Sequence, residues 1–247
     1  MFEYLILDQP DSKIVRDTAQ IIQDNNLWNR YLRDICLLRG KVYINEGLYT
    51  GEILTQDGQF KEEWDTDSVH FAVLDNGKVV GSVRLTFLQQ GETIRSAEIS
   101  NFFKKFNLQR HANTFNYLLS NLSKHRRKAI EASRLIVEEE YRRFKNIHSQ
   151  VSMVLFTMFY SYAIENGVND GFIIQGNKYR TSDIYERMGF KIVKDIETNL
   201  TLEPFFDADD ICQLMHLEYE CVTPLYLRYI RKFKPIYDKA KIIKRIV

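Results

Sequence analysis

The alternation of apolar and polar residues along this 247-residue chain predicts a mixture of strands and helices. Residues 70–74 and 78–87 are strand-like apolar segments, and the Asn76-Gly77 pair between them strongly favours a tight hairpin turn. The other predicted strands lie at residues 2–7, 129–137 and 171–175, and the clearest helical spacing of apolar residues lies at residues 27–38 and 149–165.

The middle and the end of the chain are predicted to be helical. Residues 91–128 form a mostly polar insertion that is longer than a simple connection between strands requires. Residues 204–247 are predicted to form two or three helices, because apolar residues such as Leu214 and Leu217 need burial. The predicted fold class is α/β. It comprises a mixed, mostly antiparallel sheet flanked by helices in a domain of residues 1–203, on which a helical C-terminal extension of residues 204–247 is expected to pack.

Charge limits the classes of partner. The chain has 34 basic and 33 acidic residues, a net charge of +1, whereas a general nucleic-acid binder is usually clearly basic. Basic residues dominate from Arg228 onward. This basic tail either docks an acidic partner or an anionic membrane surface, or is a solvated helix face. No apolar run has the length of a membrane span and no signal-peptide pattern is present, so a cytoplasmic protein is expected.

Cysteine and histidine residues do not indicate a metal site. Cys36, Cys212 and Cys221 are odd in number and lack metal-ligand spacing, and the five histidines form no tight cluster. We therefore expect a reducing compartment, no bound metal and no tightly bound cofactor.

One segment carries most of the candidate chemistry. Residues 129–145 read AIEASRLIVEEEYRRFK, with Glu131 and Arg134 on a predicted strand. Arg142, Arg143 and Lys145 follow just before a predicted helix. A helix N-terminus supplies free backbone N–H groups and about half a positive charge, so this turn is suited to bind a phosphate group.

Four short segments carry a family resemblance. In chain order they are EEWDTDSVH at 62–70, GSVRL at 81–85, EASRLIV at 131–137 followed by YRR, and YERMGF at 185–190. Over residues 39–190 the sequence thereby resembles the GNAT superfamily of acyltransferases. It is most similar to the branch that contains acyl-homoserine lactone synthases and long-chain N-acyl amino acid synthases.

The resemblance implies that an amine attacks an acyl thioester. Glu131 is the candidate general base, directly or through a water, and a salt bridge to Arg134 is the alternative. A flat strand would point these two side chains to opposite faces, but the resemblance implies a bulge that brings both to the cleft. Tyr185 matches a tyrosine that acts near the departing sulfur as general acid. Alternatively, Tyr185 packs under Gly189 and Phe190.

The resemblance also implies a thioester site on this strand and the following turn, where backbone N–H groups of residues 133–135 donate to the oxyanion. Most acetyl-CoA enzymes of the superfamily have a glycine-rich turn here, and this chain has none. Cationic side chains can hold one phosphate instead, which suits a phosphopantetheine arm on an acyl carrier protein at least as well as free CoA. The predicted thioester-binding residues are Ser133, Leu135, Val137, Arg142, Arg143 and Lys145.

The amine and the acyl chain have separate candidate sites. The resemblance implies that Arg39, Asp65, Asp67 and Arg84 hold the amine substrate. A solvated loop before the strand is the alternative for Asp65 and Asp67. Arg84 lies in an otherwise apolar strand, so it needs a carboxylate partner from the protein or from an amino acid. The insertion could form a lid over an acyl tunnel, and core packing is the alternative for each candidate lining residue. These are Trp64, Phe102, Phe103, Phe106, Met153, Phe156 and Phe172.

The sequence therefore predicts an N-acyltransferase. It would move a medium or long acyl chain from an acyl carrier protein or acyl-CoA to the amino group of an amino acid or related small amine. The alternatives are an acetyl-CoA-dependent N-acetyltransferase and a non-catalytic GNAT-like module that binds lipid or protein. A homoserine lactone product would require an S-adenosylmethionine site, which is not recognisable in the sequence.

Overall fold

The computed structural model describes residues 2–8, 21–90, 93–94, 98–142, 151–176, 181–207 and 210–245. The strands in these residues are β1 (Phe2–Asp8), β2 (Ile21–Gln23), β3 (Val69–Asp75), β4 (Lys78–Phe87), β5 (Gln89–Gln90), β6 (Thr93–Ile94), β7 (Lys128–Val137), β8 (Val168–Gly176), β9 (Lys191–Ile192), β10 (Phe205–Asp207), β11 (Asp210–Glu218) and β12 (Lys241–Lys244). The α-helices are α1 (Asn25–Asn45), α2 (Glu98–Lys105), α3 (Gln109–Lys124), α4 (Val151–Glu165), α5 (Thr181–Met188) and α6 (Pro224–Asp238).

The chain divides into two compact units, each made of segments that are distant in the sequence. Unit 1 consists of residues 1–85, 134–166 and 228–247, and unit 2 consists of residues 86–133 and 167–227. Strand β7 passes from unit 2 to unit 1 within its own length.

Unit 1 is built on a mixed sheet with the order β7–β4–β3–β1–β12–β2, to which β7 contributes its C-terminal part. β3 and β4 form the predicted hairpin. Asn76 and Gly77 at its turn have φ angles of 49° and 81°, as a type I′ turn requires. β1 pairs antiparallel with β3 and parallel with β12, and β12 pairs parallel with β2.

Helices cover both faces of the unit 1 sheet, which explains why β3 and β4 are buried along nearly their whole length. On one face, side chains such as Leu5 and Ala72 share a core with the buried stripe of α1. The opposite face meets α4, where the Phe71 ring contacts the Tyr162 ring edge-on at a centroid distance of 5.3 Å. Side chains alternate between the two faces of a strand. Because both faces of β3 are covered, its odd-numbered and its even-numbered residues are both mainly apolar.

Unit 2 has a smaller sheet with the order β10–β11–β8–β7, and β9 also pairs with β11. β8 is parallel to the N-terminal part of β7 and antiparallel to β11. The predicted helical insertion forms α2 and α3, which pack on this sheet through a core that includes Phe103, Phe115 and Phe172. The Phe115 and Phe172 rings meet edge-on at 5.2 Å.

The predicted helical C-terminal extension is wrong in secondary structure. Residues 204–247 contain β10, β11 and β12, and α6 is the single α-helix in the described part of this segment. β11 and β12 belong to the sheets of different units. β11 has strands on both sides and is buried on both of its faces, so its apolar residues lack a period of two. The division at residue 203 therefore coincides with no boundary between the units.

The spacing of Ile14, Val15, Ile21 and Ile22 also predicts a helix near the N-terminus, but residues 9–20 lie outside the described residues. Ile21 and Ile22 belong to strand β2 instead. The short β2 is held by the parallel ladder with β12, which is more than 200 residues away in sequence.

Candidate active site

An acidic turn before β3 organises the polar centre of unit 1. Residues 63–67 form a 3-10 helix, and Glu62 and Asp65 form a reciprocal capping box at its start. The backbone N–H of Glu62 donates to Asp65 Oδ2 at 2.8 Å. Both carboxylates are thereby fixed on one short turn.

Two arginines lie fully buried against this turn, with relative exposures of 0%. Arg39 of α1 donates through Nη1 to Asp65 Oδ1 and Oδ2, at 3.0 Å each, and lies 3.3 Å from Glu62 Oε2. Arg84 of β4 donates to Asp65 Oδ1 at 2.9 Å and to Glu62 Oε2 at 3.0 Å. The carboxylate partner predicted for Arg84 is therefore supplied by the protein.

A third arginine is the partly exposed member of the cluster. Arg134 binds Glu62 through two hydrogen bonds, one from Nε to Oε2 at 2.8 Å and one from Nη2 to Oε1. Its guanidinium also lies 5.9 Å from the Tyr43 ring centre and 5.7 Å from the Phe60 ring centre. The side chains of Arg134 and Glu62 are each 19% exposed.

The cluster has an excess of one positive charge when its histidine is neutral. Three arginines face two carboxylates, and His70, the cross-strand neighbour of Arg84, donates through Nε2 to the Asp65 carbonyl at 2.8 Å. Burial lowers the pKa of His70 to about 4, so it is neutral near pH 7. Among the described residues, Nδ1 of His70 and both Nε and Nη2 of Arg39 have no hydrogen-bond partner.

The buried arginines also determine the ionisation of Asp65 and its neighbour Cys36. Burial by itself raises the pKa of Asp65, but Arg39 and Arg84 outweigh it and lower the pKa to about 2. The Cys36 thiol lies 3.7 Å from Asp65 Oδ2, and burial raises its pKa to about 12. Cys36 is therefore a protonated thiol at neutral pH and is not a nucleophile.

Strand β7 is irregular where it carries the candidate catalytic residues. Its ladder with β8 extends from Lys128 to Glu131 and ends there. Three residues further on, Arg134 has a φ angle of 58°, in the left-handed region that non-glycine residues seldom adopt. The strand is thus not flat here, in agreement with the bulge that the family resemblance implies.

Glu131 has a structural contact that the sequence did not predict. Its side chain is buried, with 3% exposure, and Oε2 accepts a hydrogen bond from the backbone N–H of Ile99 at 3.2 Å. Ile99 lies in the first turn of α2, where N–H groups lack partners within the helix. The carboxylate proposed as a base therefore also caps the insertion.

Tyr185 lies on α5 of unit 2 and packs edge-on against Phe190, with ring centres 5.3 Å apart. Burial, followed by the neighbouring Tyr226, raises the pKa of the Tyr185 phenol well above its ordinary value. Gly189 after the helix has a φ angle of 116°, and a Cβ there would come within 2.7 Å of the Cys221 carbonyl oxygen. The packing role considered for Tyr185 is present in the structure.

The predicted thioester-binding residues differ in their surroundings, and two of them lie outside the described residues. Arg143, Lys145 and the predicted helix start at 147–150 lie outside the described residues. Arg142 is engaged by the protein, because Nε donates to the Val137 carbonyl at 2.5 Å and the guanidinium pairs with Glu46. On β7, Ser133 is half-buried, Leu135 is exposed and Val137 is buried.

The predicted acyl-pocket residues are distributed over both units. Trp64, Met153 and Phe156 belong to unit 1. The other candidates belong to unit 2: Phe102, Phe103, Phe106 and Phe172. Phe103, Phe156 and Phe172 are fully buried in aromatic packing, while Trp64, Phe102, Phe106 and Met153 are half-buried.

Sequence reasoning missed the residues that hold the cluster together. Glu62 contacts all three arginines and was not among the predicted site residues, and neither were Tyr43 or His70. The spacing of Glu62 and Asp65 could have indicated it, because a capping box fixes both side chains on one turn. The predicted Asp67 is exposed and takes part in none of the cluster contacts found among the described residues.

The mixed, mostly antiparallel sheet flanked by helices agrees with the predicted GNAT-like fold. A family profile described as N-acyl amino acid synthase FeeM matches residues 34–205, more than half of the chain. This protein therefore belongs to the FeeM family of N-acyl amino acid synthases and is an N-acyltransferase. No curated protein matches the chain significantly.

Solved structures confirm the fold. The CoA-dependent acyl-homoserine lactone synthase BjaI, solved with MTA, is 14% identical with a TM-score of 0.59, over 100% of this chain and 94% of that one. FeeM, an N-acyl amino acid synthase from uncultured soil microbes, is 12% identical with a TM-score of 0.55, over 92% and 98% of the two chains. The acyl-homoserine lactone synthase LasI is 12% identical with a TM-score of 0.54, over 92% and 93%.

The described residues include no helix that is long and apolar enough to cross a membrane. They also contain no group of three or more His, Cys, Asp or Glu side chains arranged to hold a metal ion.

Proposed function

We propose that this N-acyltransferase moves a medium or long acyl chain from a carrier-protein or CoA thioester to the amino group of an amino acid. The observation that carries the choice of acceptor is the Arg134 guanidinium. It is partly exposed, fixed by Glu62 and two aromatic rings, and belongs to a cluster with one excess positive charge. A carboxylate is the group that a planar, preorganised guanidinium binds best.

Within this proposal, the buried members of the cluster position Arg134 rather than touch the substrate. Arg39, Arg84 and Asp65 are all 0% exposed and already engage one another. Their effect on the acceptor acts through Glu62, which holds Arg134. Binding of the amine substrate by Asp67 has less support, because its side chain is exposed and takes no part in this set of contacts.

In the proposed reaction the acceptor nitrogen forms a bond to the thioester carbonyl carbon, and the carbon–sulfur bond then breaks. Glu131 takes a proton from the amine, directly or through a water. An α-amino group titrates near pH 8, so a modest base is sufficient. Backbone N–H groups of residues 133–135 donate hydrogen bonds to the oxyanion. Loss of one such donor raises the activation free energy by roughly 3 kcal/mol.

The raised pKa of Tyr185 changes the role proposed for it. A thiol has an ordinary pKa of about 8.5, well below that of a phenol whose pKa is raised by burial. Proton transfer from Tyr185 to a thiolate would therefore be uphill. We propose that Tyr185 donates a hydrogen bond to the departing sulfur, and that the thiolate takes its proton from solvent or remains ionised.

The test is mass spectrometry of organic extracts from cells that express the protein or its Glu131→Gln variant. An N-acyl amino acid present only with the unaltered protein would support the proposal and would identify both chain length and acceptor. Purified protein is then assayed for thiol release with acyl-CoA donors of increasing length. Turnover of acetyl-CoA with no gain from longer chains would replace the proposal with an N-acetyltransferase.

A further inference from the structure

We propose that helix α6 is the docking surface for an acidic acyl carrier protein, through a cationic face formed by Arg228, Arg231 and Lys232. This inference rests on the proposed function, since it identifies the donor as a carrier protein rather than free CoA. It assigns a partner surface to the basic tail, which the polar cluster and the catalytic candidates do not use.

The cationic face is on the side of α6 that points away from the protein. Ile230, Phe233 and Tyr237 are buried, and these positions follow one stripe of the helix. Arg228 and Lys232 are one turn apart on the opposite side, with Arg231 beside them. All three cations are exposed, and the neighbouring Tyr229 is 40% exposed.

These three cations have no carboxylate partner among the described residues, unlike several other basic residues of unit 1. Within the described residues, no ion pair or hydrogen bond is made by Arg228, Arg231 or Lys232, and residues 224–237 contain no acidic residue. Elsewhere in the unit such partners are common. Lys41 and Lys78 share Glu138, Arg142 pairs with Glu46, Lys241 with Glu3, and Lys244 with Asp8.

Charge and side-chain type favour a protein partner over a lipid surface. An amphipathic helix binds a membrane by burying its apolar face, and the apolar stripe of α6 is already buried in this protein. Three cations near an anionic bilayer contribute only about 3 kcal/mol, which is a marginal affinity. Arginine and tyrosine together are typical of protein interfaces, where a row of carboxylates would complement the three charges.

The start of α6 lies against the helix that bears Tyr185. The Thr223 hydroxyl donates to the Arg187 carbonyl at 2.6 Å, and the Thr223 N–H donates to the Met188 carbonyl at 3.1 Å. The first turn of α6 is thus anchored to α5.

The experiment compares three donors that carry the same acyl chain: acyl carrier protein, acyl-CoA and acyl-pantetheine. The test variant is Arg228→Glu, Arg231→Glu, Lys232→Glu. The matched control reverses three other exposed cations that have no carboxylate partner among the described residues, Arg30, Lys124 and Lys239. We expect at least a tenfold loss of kcat/KM with the carrier donor in the test variant, mostly in KM, and less than a threefold change with acyl-pantetheine.

Binding of the carrier protein is measured separately by fluorescence anisotropy at 50 and 500 mM salt, so docking is tested even if no transfer occurs. Weaker binding in the test variant, with a weaker salt dependence than the unaltered protein, supports the proposal. It is overturned if the control variant loses as much affinity, or if the test variant binds the carrier unchanged. Binding of both variants to anionic vesicles is measured in parallel. If the test variant loses binding to the vesicles but not to the carrier protein, the cationic face is a membrane contact and the proposal is overturned. Absence of N-acyl product with every donor would count against the proposed function instead.

Discussion

At the scale of single residues, Glu131 combines a chemical and a structural role, and substitutions can separate them. Gln at this position keeps an oxygen that can accept the Ile99 N–H bond but cannot take a proton at neutral pH. Ala loses both functions. Any stability effect of the cap should therefore appear only in the Ala variant.

We expect Glu131→Gln to lower kcat by about 100-fold or more while leaving the free energy of unfolding within about 1 kcal/mol of the unaltered protein. Glu131→Ala should lose the same activity and a further ~1 kcal/mol of stability, because the first turn of α2 loses its cap. Steady-state kinetics and urea unfolding measure the two effects. Full activity of the Gln variant would remove Glu131 as the base.

Asp65 and Asp67 form a matched pair two residues apart, one fully buried between two arginines and the other exposed. Asp65→Asn leaves two buried guanidinium groups underpaired and should cost roughly 3–5 kcal/mol of unfolding free energy. Asp67→Asn should change it by less than about 0.5 kcal/mol. Chemical denaturation of both variants checks this, and equal losses would contradict the assigned ion pairs.

His70 should make the stability depend on pH. Its pKa is lowered to about 4 in the folded protein, whereas an unfolded histidine titrates near its ordinary value of 6.5. The unfolded state therefore binds the proton first. Stability contributed by neutral His70 is complete above pH 6.5 and falls between pH 6.5 and 4, by about 3 kcal/mol in total.

Urea unfolding at pH 7, 5.5 and 4 measures this loss. His70→Gln, which keeps a donor toward the Asp65 carbonyl, should show a smaller loss over the same interval. If the variant and the unaltered protein lose stability equally, the pH dependence belongs to other groups. Asp65 is separated from this effect, because its lowered pKa of about 2 moves its own loss below pH 4.

At the scale of elements, the loop before the acidic turn depends on a close approach to α1. The Phe60 N–H donates to the Cys36 carbonyl at 3.0 Å, and a Cβ at Gly40 would lie 2.4 Å from the Gly58 carbonyl oxygen. Backbone oxygen cannot move away as a flexible side chain can. Gly40 thus lets α1 and the loop bring Arg39 and Glu62 together.

We expect Gly40→Ala to destabilise the protein by about 1–3 kcal/mol despite the better helix propensity of alanine. It should also lower kcat/KM through displacement of Glu62. Gly51→Ala is the control, because a Cβ there meets nothing within 4 Å. Thermal unfolding and initial rates are measured for both, and a stabilised Gly40→Ala protein would show that the approach is looser than described.

Elements with a clear period could be predicted from the sequence, and elements that depend on distant partners could not. The β3–β4 hairpin, α1 and α4 follow from local spacing and an Asn-Gly turn. β11 has neighbours on both sides and β12 has only four residues, so neither shows a usable period. Long-range pairing determined both.

The candidate site, like the fold, could be predicted only where a local property of the sequence determines it. An arginine in an apolar strand requires a carboxylate, so a partner for Arg84 could be predicted from burial cost alone. Which carboxylate it is depends on how residues 62–67 fold against α1, and that turn has no apolar pattern. The cap of α2 by Glu131 joins residues 32 apart, a contact without any local signature.

At the scale of the whole molecule, the last described strand is part of the core of unit 1. β12 lies between β1 and β2 and is parallel to both, and Ile242 and Ile243 are buried at 0% and 1% exposure. Lys241 in the same strand is partly exposed and pairs with Glu3.

We expect Ile242→Ala to cost about 2–5 kcal/mol, as much as a large-to-small substitution at the opposite end of the sequence, such as Leu5→Ala. Lys241→Ala should cost less than about 1 kcal/mol, because its ion pair is exposed. Urea unfolding of the three variants compares these losses. A small effect at Ile242 would show that β12 adds little to the core.

The central place of β12 has a consequence for biosynthesis. One edge of β1 can pair with β3 soon after both strands emerge from the ribosome, but its other edge has no partner until residues 241–244 are made. At about 5–20 residues per second, this edge remains open for roughly 12–50 seconds of translation. During that interval the nascent chain presents an unpaired apolar strand, which makes it a natural client for ribosome-associated chaperones.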